Sequence, residues 1–144
     1  MIQDSYPNAR CFVMPSTVNP TVYVVDDDAG VLGSLRFLLE ADGFDVRTFR
    51  SGASLLSATR ADGVDCFVID YKMPDMNGID LVSQLRHRNI ETPIILITGY
   101  PDQNISVRAG AAGVHDVLLK PHLEESLVTL IRCAIAQAGQ VRAD

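Results

Sequence analysis

Carboxylates, a hydroxyl and an ammonium follow short apolar runs at four places in the sequence. Three consecutive acids at residues 26–28 follow the first run, and Asp70, Thr98 and Lys120 each follow a later one. Clustered carboxylates raise one another's pKa unless a cation lies between them, and Mg²⁺ is typical where carboxylates and a phosphate share a metal. A phosphoryl group held on a carboxylate would also need an ammonium and a hydroxyl around its oxygens.

Each of these residues also has an ordinary structural explanation. Three acids in a row often form a solvated turn or a helix cap. A threonine at the end of a strand fits its β propensity, and a lysine is usually solvated. The chemical interpretation therefore depends on whether the fold brings these residues to one place.

The apolar runs and the segments between them predict five strands alternating with five helices. The predicted strands are 22–25, 44–49, 66–69, 94–97 and 114–119. The run 94–97 is apolar at every position, which is typical of a strand buried on both faces of a parallel sheet. We predict an α/β fold with a single doubly wound five-stranded parallel sheet of order 2-1-3-4-5, flanked by five helices. A closed barrel of eight such units would need about 250 residues, so a chain of 144 residues is too short to form one.

In such a sheet, ligands bind at the carboxyl ends of the strands, beside the switch in strand order. The first and third predicted strands flank that switch, so the acids at 26–28 should meet Asp70. Thr98 and Lys120 end the two strands beyond and should reach the same edge. The predicted fold therefore assembles the whole set of groups that an aspartyl phosphate requires.

The 144 residues suit one domain. Residues 1–20 lack periodicity and contain several prolines, so we predict a flexible N-terminal extension, a domain at 21–137 and a C-terminal tail at 138–144. The N-terminus has no basic start followed by an apolar run, and a signal peptide is not expected. Whether the domain stands alone or belongs to a longer regulator is open.

The composition also limits the partners. A net charge of −6 argues against direct nucleic-acid binding by this chain, which would need clustered Lys and Arg. No apolar run is long enough to span a membrane. Cys11, Cys66 and Cys133 are odd in number and widely spaced. We therefore expect reduced thiols and a cytoplasmic location rather than a disulfide framework or a zinc site.

Four segments, at residues 24–28, 68–78, 94–99 and 118–121, closely resemble the receiver domain of two-component response regulators. The resemblance extends from residue 21 to about 137. It implies that Asp70 accepts a phosphoryl group from a sensor histidine kinase or a histidine phosphotransfer protein. The chemistry would be self-catalysed aspartyl phosphorylation and dephosphorylation, so the chain would not be a conventional enzyme.

The resemblance also implies roles for the neighbouring residues. Thr98 would be the switch hydroxyl, Lys120 would contact the phosphoryl group, and the Lys120–Pro121 bond would be cis. The implied ligands of Mg²⁺ are Asp26, Asp27, Asp70 and the backbone carbonyl of Lys72.

One position departs from the family pattern. The family usually has Tyr or Phe three residues before the lysine, and this chain has Val117. The coupling from the site to the usual output and dimerisation face, formed by the fourth helix, fifth strand and fifth helix, is therefore in question. Our hypothesis is that Tyr100 moves with Thr98, covers the mouth of the site beside Lys72 and takes over part of the gating.

Three other interpretations of these residues compete with this one. A phosphatase of the haloacid-dehalogenase type would carry a second Asp two residues after its nucleophile, where this chain has Lys72. A flavodoxin-like cofactor binder would need a Ser-, Thr- and Gly-rich loop where this chain has the acids at 26–28. A degenerate receiver that acts only as an interaction module stays open because of Val117.

Overall fold

The computed structural model describes residues 19–59, 63–99, 102–120 and 124–143. Strands and helices alternate, as predicted. Their bounds are β1 Thr21–Val25, α1 Ala29–Ala41, β2 Asp45–Phe49, α2 Gly52–Ala58, β3 Cys66–Asp70, α3 Gly78–His87, β4 Ile94–Thr98, α4 Gln103–Ala112, β5 Asp116–Leu119 and α5 Glu124–Ala143. All strand pairs are parallel and the order is β2-β1-β3-β4-β5, which confirms the predicted fold class and order.

Polar side chains begin four of the helices. Each accepts a hydrogen bond from a backbone N–H of the first turn, which would otherwise have no partner within the helix. These N-cap residues are Asp28 for α1, Ser51 for α2, Asn77 for α3 and Asp102 for α4. Gly43 and Gly113 follow α1 and α4 with φ of 95° and 98°, a left-handed conformation that glycine adopts at low cost.

The sheet separates two hydrophobic clusters. Tyr23 and Val25 of β1 face the cluster formed with α2, α3 and α4, whereas Val22 and Val24 face the cluster formed with α1 and α5. Every residue of β3 and β4 is buried. The central strands are therefore covered on both faces, and a ligand can reach them only where they end.

Some boundaries differ from the prediction. β3 and β4 include Asp70 and Thr98, and β5 begins at Asp116 because α4 and its Gly113 cap extend close to it. α5 continues to Ala143, so most of the predicted tail at 138–144 is helical. Residues 1–18 of the predicted extension, Tyr100 and Pro121 lie outside the described residues, and so does the predicted cis bond.

The cysteines differ from one another. Cys66 in β3 is a free, fully buried thiol, and burial raises its pKa. Cys133 in α5 is disulfide-bonded, which contradicts the expectation of reduced thiols for this residue. Within the described ranges, none of the helices combines the length and apolar character that a membrane span requires.

Candidate functional site

The acidic residues meet where β1 and β3 end. Val25 pairs with Ile69, so Asp26 and Asp70 leave adjacent strands at the same level. Asp26 and Asp70 are buried, with 2% and 5% of their surface exposed, and Asp27 is exposed. One carboxylate oxygen from each of the three residues lies within 4.8 Å of the others. The structure thus brings together the three acids that the sequence predicted as metal ligands.

Lys120 supplies the positive charge of the cluster. Its Nζ lies 3.2 Å from Asp26 Oδ2 and 3.1 Å from Asp70 Oδ1. The backbone N–H of Lys120 donates to the carbonyl of Thr98 at 2.8 Å, so the end of β4 fixes where the lysine leaves β5. In this way the side chain of Lys120, which is distant in sequence from the acids, is directed toward them.

The cluster perturbs the ionisation of its members. Burial, followed by the charge of Asp26, raises the pKa of Asp70 to about 6, although Lys120 opposes the shift. Burial alone would lower the pKa of Lys120, but its hydrogen bonds and charge interactions with Asp70 and Asp26 outweigh that effect and raise it. The ammonium therefore stays charged at neutral pH.

The donor set fits a divalent cation. Three ionised carboxylates carry a charge of −3 and Lys120 carries +1, which leaves −2 on the cluster. Hard oxygen ligands and this residual charge suit Mg²⁺. The cluster opens into a cleft of about 610 Å³, whose walls include Asp27, Lys72, Pro74 and Gly99. Asp70 also lines this cleft, so its carboxylate can be reached from the surface.

Thr98 is placed less openly than the prediction implied. It ends β4 at the same edge, but only 4% of it is exposed, and Gly99 rather than Thr98 lines the cleft. The structure therefore brings Asp26, Asp27, Asp70 and Lys120 into one cluster. Thr98 ends β4 at the same edge but is buried and does not line the cleft.

Asp28, which the sequence left without a role, is a helix cap. Its carboxylate accepts from the N–H groups of Gly30 and Val31, at 2.8 and 3.2 Å, and its own N–H donates to Asp26 Oδ1 at 2.9 Å. The cap aligns the start of α1 with the acidic cluster. An Asp directly before a helical pattern is the sequence signal for this role.

Gly78 lies against the backbone of Asp70 and Tyr71. Its N–H donates to the carbonyl of Tyr71 at 2.7 Å, and a Cβ at this position would lie 2.8 Å from the carbonyl oxygen of Asp70. A side chain here would collide with the backbone that carries Asp70. No local sequence pattern signals this contact, because it depends on the path of the loop between Asp70 and Gly78.

Two further residues near the site were missed by sequence reasoning. Arg50, which follows β2, donates from Nη2 to the carbonyl of Asp27 at 3.2 Å. Tyr71, the residue after Asp70, packs against the cluster that includes α4, and Arg108 of α4 lies 3.5 Å from its hydroxyl. Neither residue belongs to a local sequence pattern, so the pairing of distant segments was needed to find them.

The raised pKa of Asp70 predicts a pH-dependent stability of the metal-free protein. Between the unfolded pKa of 3.8 and the folded value of about 6, the folded state holds a proton that the unfolded state has lost. The free energy of unfolding should therefore fall as pH rises through this window, by on the order of 2 kcal/mol. Thermal unfolding in chelator from pH 4.5 to 7.5 measures it. Asp70→Asn should remove that part of the slope, and an identical slope in both proteins would contradict the assignment.

Comparisons with known proteins agree with this geometry. The family model described as the response regulator receiver domain matches residues 22–132. Response regulator protein TodT of Pseudomonas putida is 36% identical over 123 residues, which are 85% of this chain and 54% of TodT. The chain thus spans about half the length of that relative.

Solved structures give the same result. Full-length FixJ from B. japonicum superimposes with a TM-score of 0.80 and 35% identity, over 88% of this chain and 63% of FixJ. A CheY-like receiver domain protein from Methanospirillum hungatei superimposes with a TM-score of 0.81 over 86% of this chain and 99% of its own. At 24% identity, this second likeness concerns the fold alone.

Proposed function

The chain belongs to the response regulator receiver domain family, and on that premise we propose that Asp70 accepts a phosphoryl group with Mg²⁺ bound beside it. The donor is a sensor histidine kinase or a histidine phosphotransfer protein. The observation that carries the proposal is the cluster of three carboxylates within 4.8 Å, with the Lys120 ammonium 3.1 Å from Asp70.

Asp70 is the nucleophile because its carboxylate ends a central strand and faces the cleft. One of its oxygens attacks phosphorus, and an O–P bond forms while the bond from phosphorus to the donor's imidazole nitrogen breaks. The electron pair of the broken bond stays on the ring nitrogen: a ring protonated at its other nitrogen leaves as neutral imidazole, and an unprotonated ring takes up a proton from solvent as it leaves. With a pKa of about 6, Asp70 is largely ionised at neutral pH and can act as the nucleophile.

The side chains of Asp26, Asp27 and Asp70, with the backbone carbonyl of Lys72, would hold the Mg²⁺. When bound, the ion supplies positive charge to carboxylates and phosphoryl oxygens that would otherwise repel one another. Lys120, which follows the edge strand β5, contacts the cluster and stabilises the charge on the transferred group. The Thr98 hydroxyl donates to a phosphoryl oxygen, which requires it to turn from its buried position toward the cleft.

The proposal is tested with a small phosphodonor. Acetyl phosphate with Mg²⁺ should add one phosphoryl mass to the intact protein, and chelation of the metal should prevent the addition. Asp27→Asn should weaken both Mg²⁺ binding, measured by titration calorimetry, and labelling. Phosphorylation that survives the chelator unchanged would refute the role of the metal.

Lys120→Met should separate metal binding from phosphoryl transfer. Removing one positive charge from the cluster should raise the affinity for Mg²⁺ several-fold, because cation–cation repulsion disappears. Labelling at saturating Mg²⁺ should slow by roughly a hundredfold, since the developing charge loses a preorganised donor. Calorimetry and the time course of intact mass measure the two effects. Weaker Mg²⁺ binding together with normal labelling would contradict both assignments.

The output surface in our proposal is the face formed by α4, β5 and α5, for a partner or a second copy. Val107 on α4 and Leu119 on β5 are large apolar side chains that are 71% and 41% exposed, and their place on this face supports a contact there. Val117 of β5 is half-buried and packs against the hydrophobic cluster that includes α3 and α4. The contact between Tyr71 and Arg108 offers a second connection from Asp70 to α4.

The remaining proposals follow from the sequence. A phosphatase function is disfavoured by Lys72, which stands where a second carboxylate would be needed. Relatives such as FixJ are named transcriptional regulators; with a net charge of −6, we propose that this chain makes no direct contact with nucleic acid. A cytoplasmic location and the absence of membrane contact remain predictions.

A further inference from the structure

The acidic residues at the mouth of the cleft repel an anionic ligand. Asp27 and Asp28 are exposed at the rim, and Asp26 and Asp70 lie beneath them. A phosphodonor carries negative charge on its phosphoryl oxygens, so this rim repels it before any contact with Lys120, whose ion pairs hold it at the buried acids. A cation at the rim would reduce that repulsion.

Two exposed cations lie near this rim: Lys72 lines the cleft, and Arg50 lies next to it, in contact with the backbone of Asp27. Arg50 directly follows β2, whose last residue, Phe49, pairs with the end of β1, and therefore leaves the sheet at the edge where Asp26 begins. The backbone N–H of Asp26 donates to the carbonyl of Phe49 at 3.1 Å, which holds the two strand ends together. The guanidinium is exposed and donates to the carbonyl of Asp27 at 3.2 Å.

We propose that Arg50 attracts the anionic phosphodonor to the mouth of the site. This inference rests on the proposed phosphoacceptor function of Asp70. The hydrogen bond to Asp27 uses one of the five N–H groups of a guanidinium and holds the charge beside the rim. The same positive charge opposes the entry of Mg²⁺, so Arg50 favours the donor at the expense of metal affinity.

These opposite effects distinguish an electrostatic role from a structural one. Arg50→Gln should slow labelling by subsaturating acetyl phosphate about fivefold at low ionic strength, and the difference should nearly vanish near 1 M salt, where charges are screened within about 3 Å. The same variant should bind Mg²⁺ about threefold more tightly in calorimetry at low salt. If Arg50 served only to hold the Asp27 loop, both labelling and Mg²⁺ affinity would fall.

Two variants complete the test. Arg50→Lys keeps the charge and should retain most of the labelling rate and its salt dependence. Arg132→Gln removes the same charge from the opposite edge of the sheet, where Arg132 pairs with Asp42 after α1, and should leave both quantities at the wild-type value. An Arg50→Gln variant that labels like wild type at all salt concentrations, or that loses Mg²⁺ affinity, overturns the inference.

The outcome separates this inference from the proposed function. If wild type binds Mg²⁺ but gains no phosphoryl mass, the phosphoacceptor proposal fails, and the role of Arg50 fails with it. If wild type is labelled and Arg50→Gln matches it, only the role of Arg50 fails. Labelling of wild type with a salt-dependent defect and tighter Mg²⁺ binding in Arg50→Gln supports both.

Discussion

Asp70→Asn is expected to abolish phosphoryl transfer to this protein. The amide has nearly the shape of the carboxylate but lacks its nucleophilic oxygen. Asp26 also lies 3.2 Å from the Lys120 ammonium, but its Oδ1 accepts from the N–H of Asp28 and its Oδ2 accepts from Lys120, so both of its oxygens are engaged. Intact mass after exposure to acetyl phosphate and Mg²⁺ should show no added phosphoryl group. We expect the labelling rate to fall by at least about a thousandfold, as for loss of a nucleophile.

A matched control lies in the loop that follows. The Asp75 carboxylate accepts from the N–H groups of Gly52 and Ala53 at the start of α2, and so has a structural role. Asp75→Asn makes the same chemical change five residues away and should be labelled like wild type. Full labelling of Asp70→Asn, or loss of labelling only in Asp75→Asn, would place the phosphoacceptor elsewhere.

Gly78→Ala should be strongly destabilising for a one-carbon change. The new methyl would lie 2.8 Å from the carbonyl oxygen of Asp70 and 3.0 Å from the Cα of Tyr71. These are backbone atoms, which cannot relieve the overlap by a change of rotamer as a side chain can. We expect the free energy of unfolding to fall by about 2 kcal/mol or more. Because the displaced backbone carries Asp70, labelling of the folded fraction should also slow. Denaturant unfolding and the mass time course measure the two effects.

Gly33→Ala is the control for this substitution. Gly33 lies within α1, and a Cβ there would have no neighbour within 4 Å. Alanine should stabilise the protein by about 0.5–1 kcal/mol, because glycine costs more backbone entropy in a helix. Equal stability changes in the two variants would show that the contact with Asp70 does not constrain position 78.

The sheet was predictable because its signals are local. The run 94–97 is apolar throughout, and Gly43 follows a helical pattern, so element types and order could be derived from neighbouring residues. The start of β5 was predicted too early because Val114 continues the apolar pattern, whereas its N–H in fact bonds back to Ala109 of α4. The helical continuation past residue 137 was missed because a polar segment with Gly139 has no strong periodicity.

The residues that form the site could be predicted from the sequence, but their burial and contacts could not. Strand order placed Asp26 and Asp70 together, because parallel strands end at one edge. The burial of Thr98 and the contact of Arg50 with Asp27 depend on loop paths between distant strands, and no spacing in the sequence encodes these.

The order in which the chain is synthesised gives the position of Lys120 a further consequence. The acids at 26 and 70 emerge from the ribosome early, whereas the lysine that pairs with both follows β5, near the end of the domain. Leu127 and Ile131 of α5, which cover one face of the sheet, emerge later still. A nascent chain therefore carries Asp70, the proposed acceptor, without its ammonium and without a closed core. Under the proposed function, competence to receive a phosphoryl group arises only once synthesis of the domain is complete.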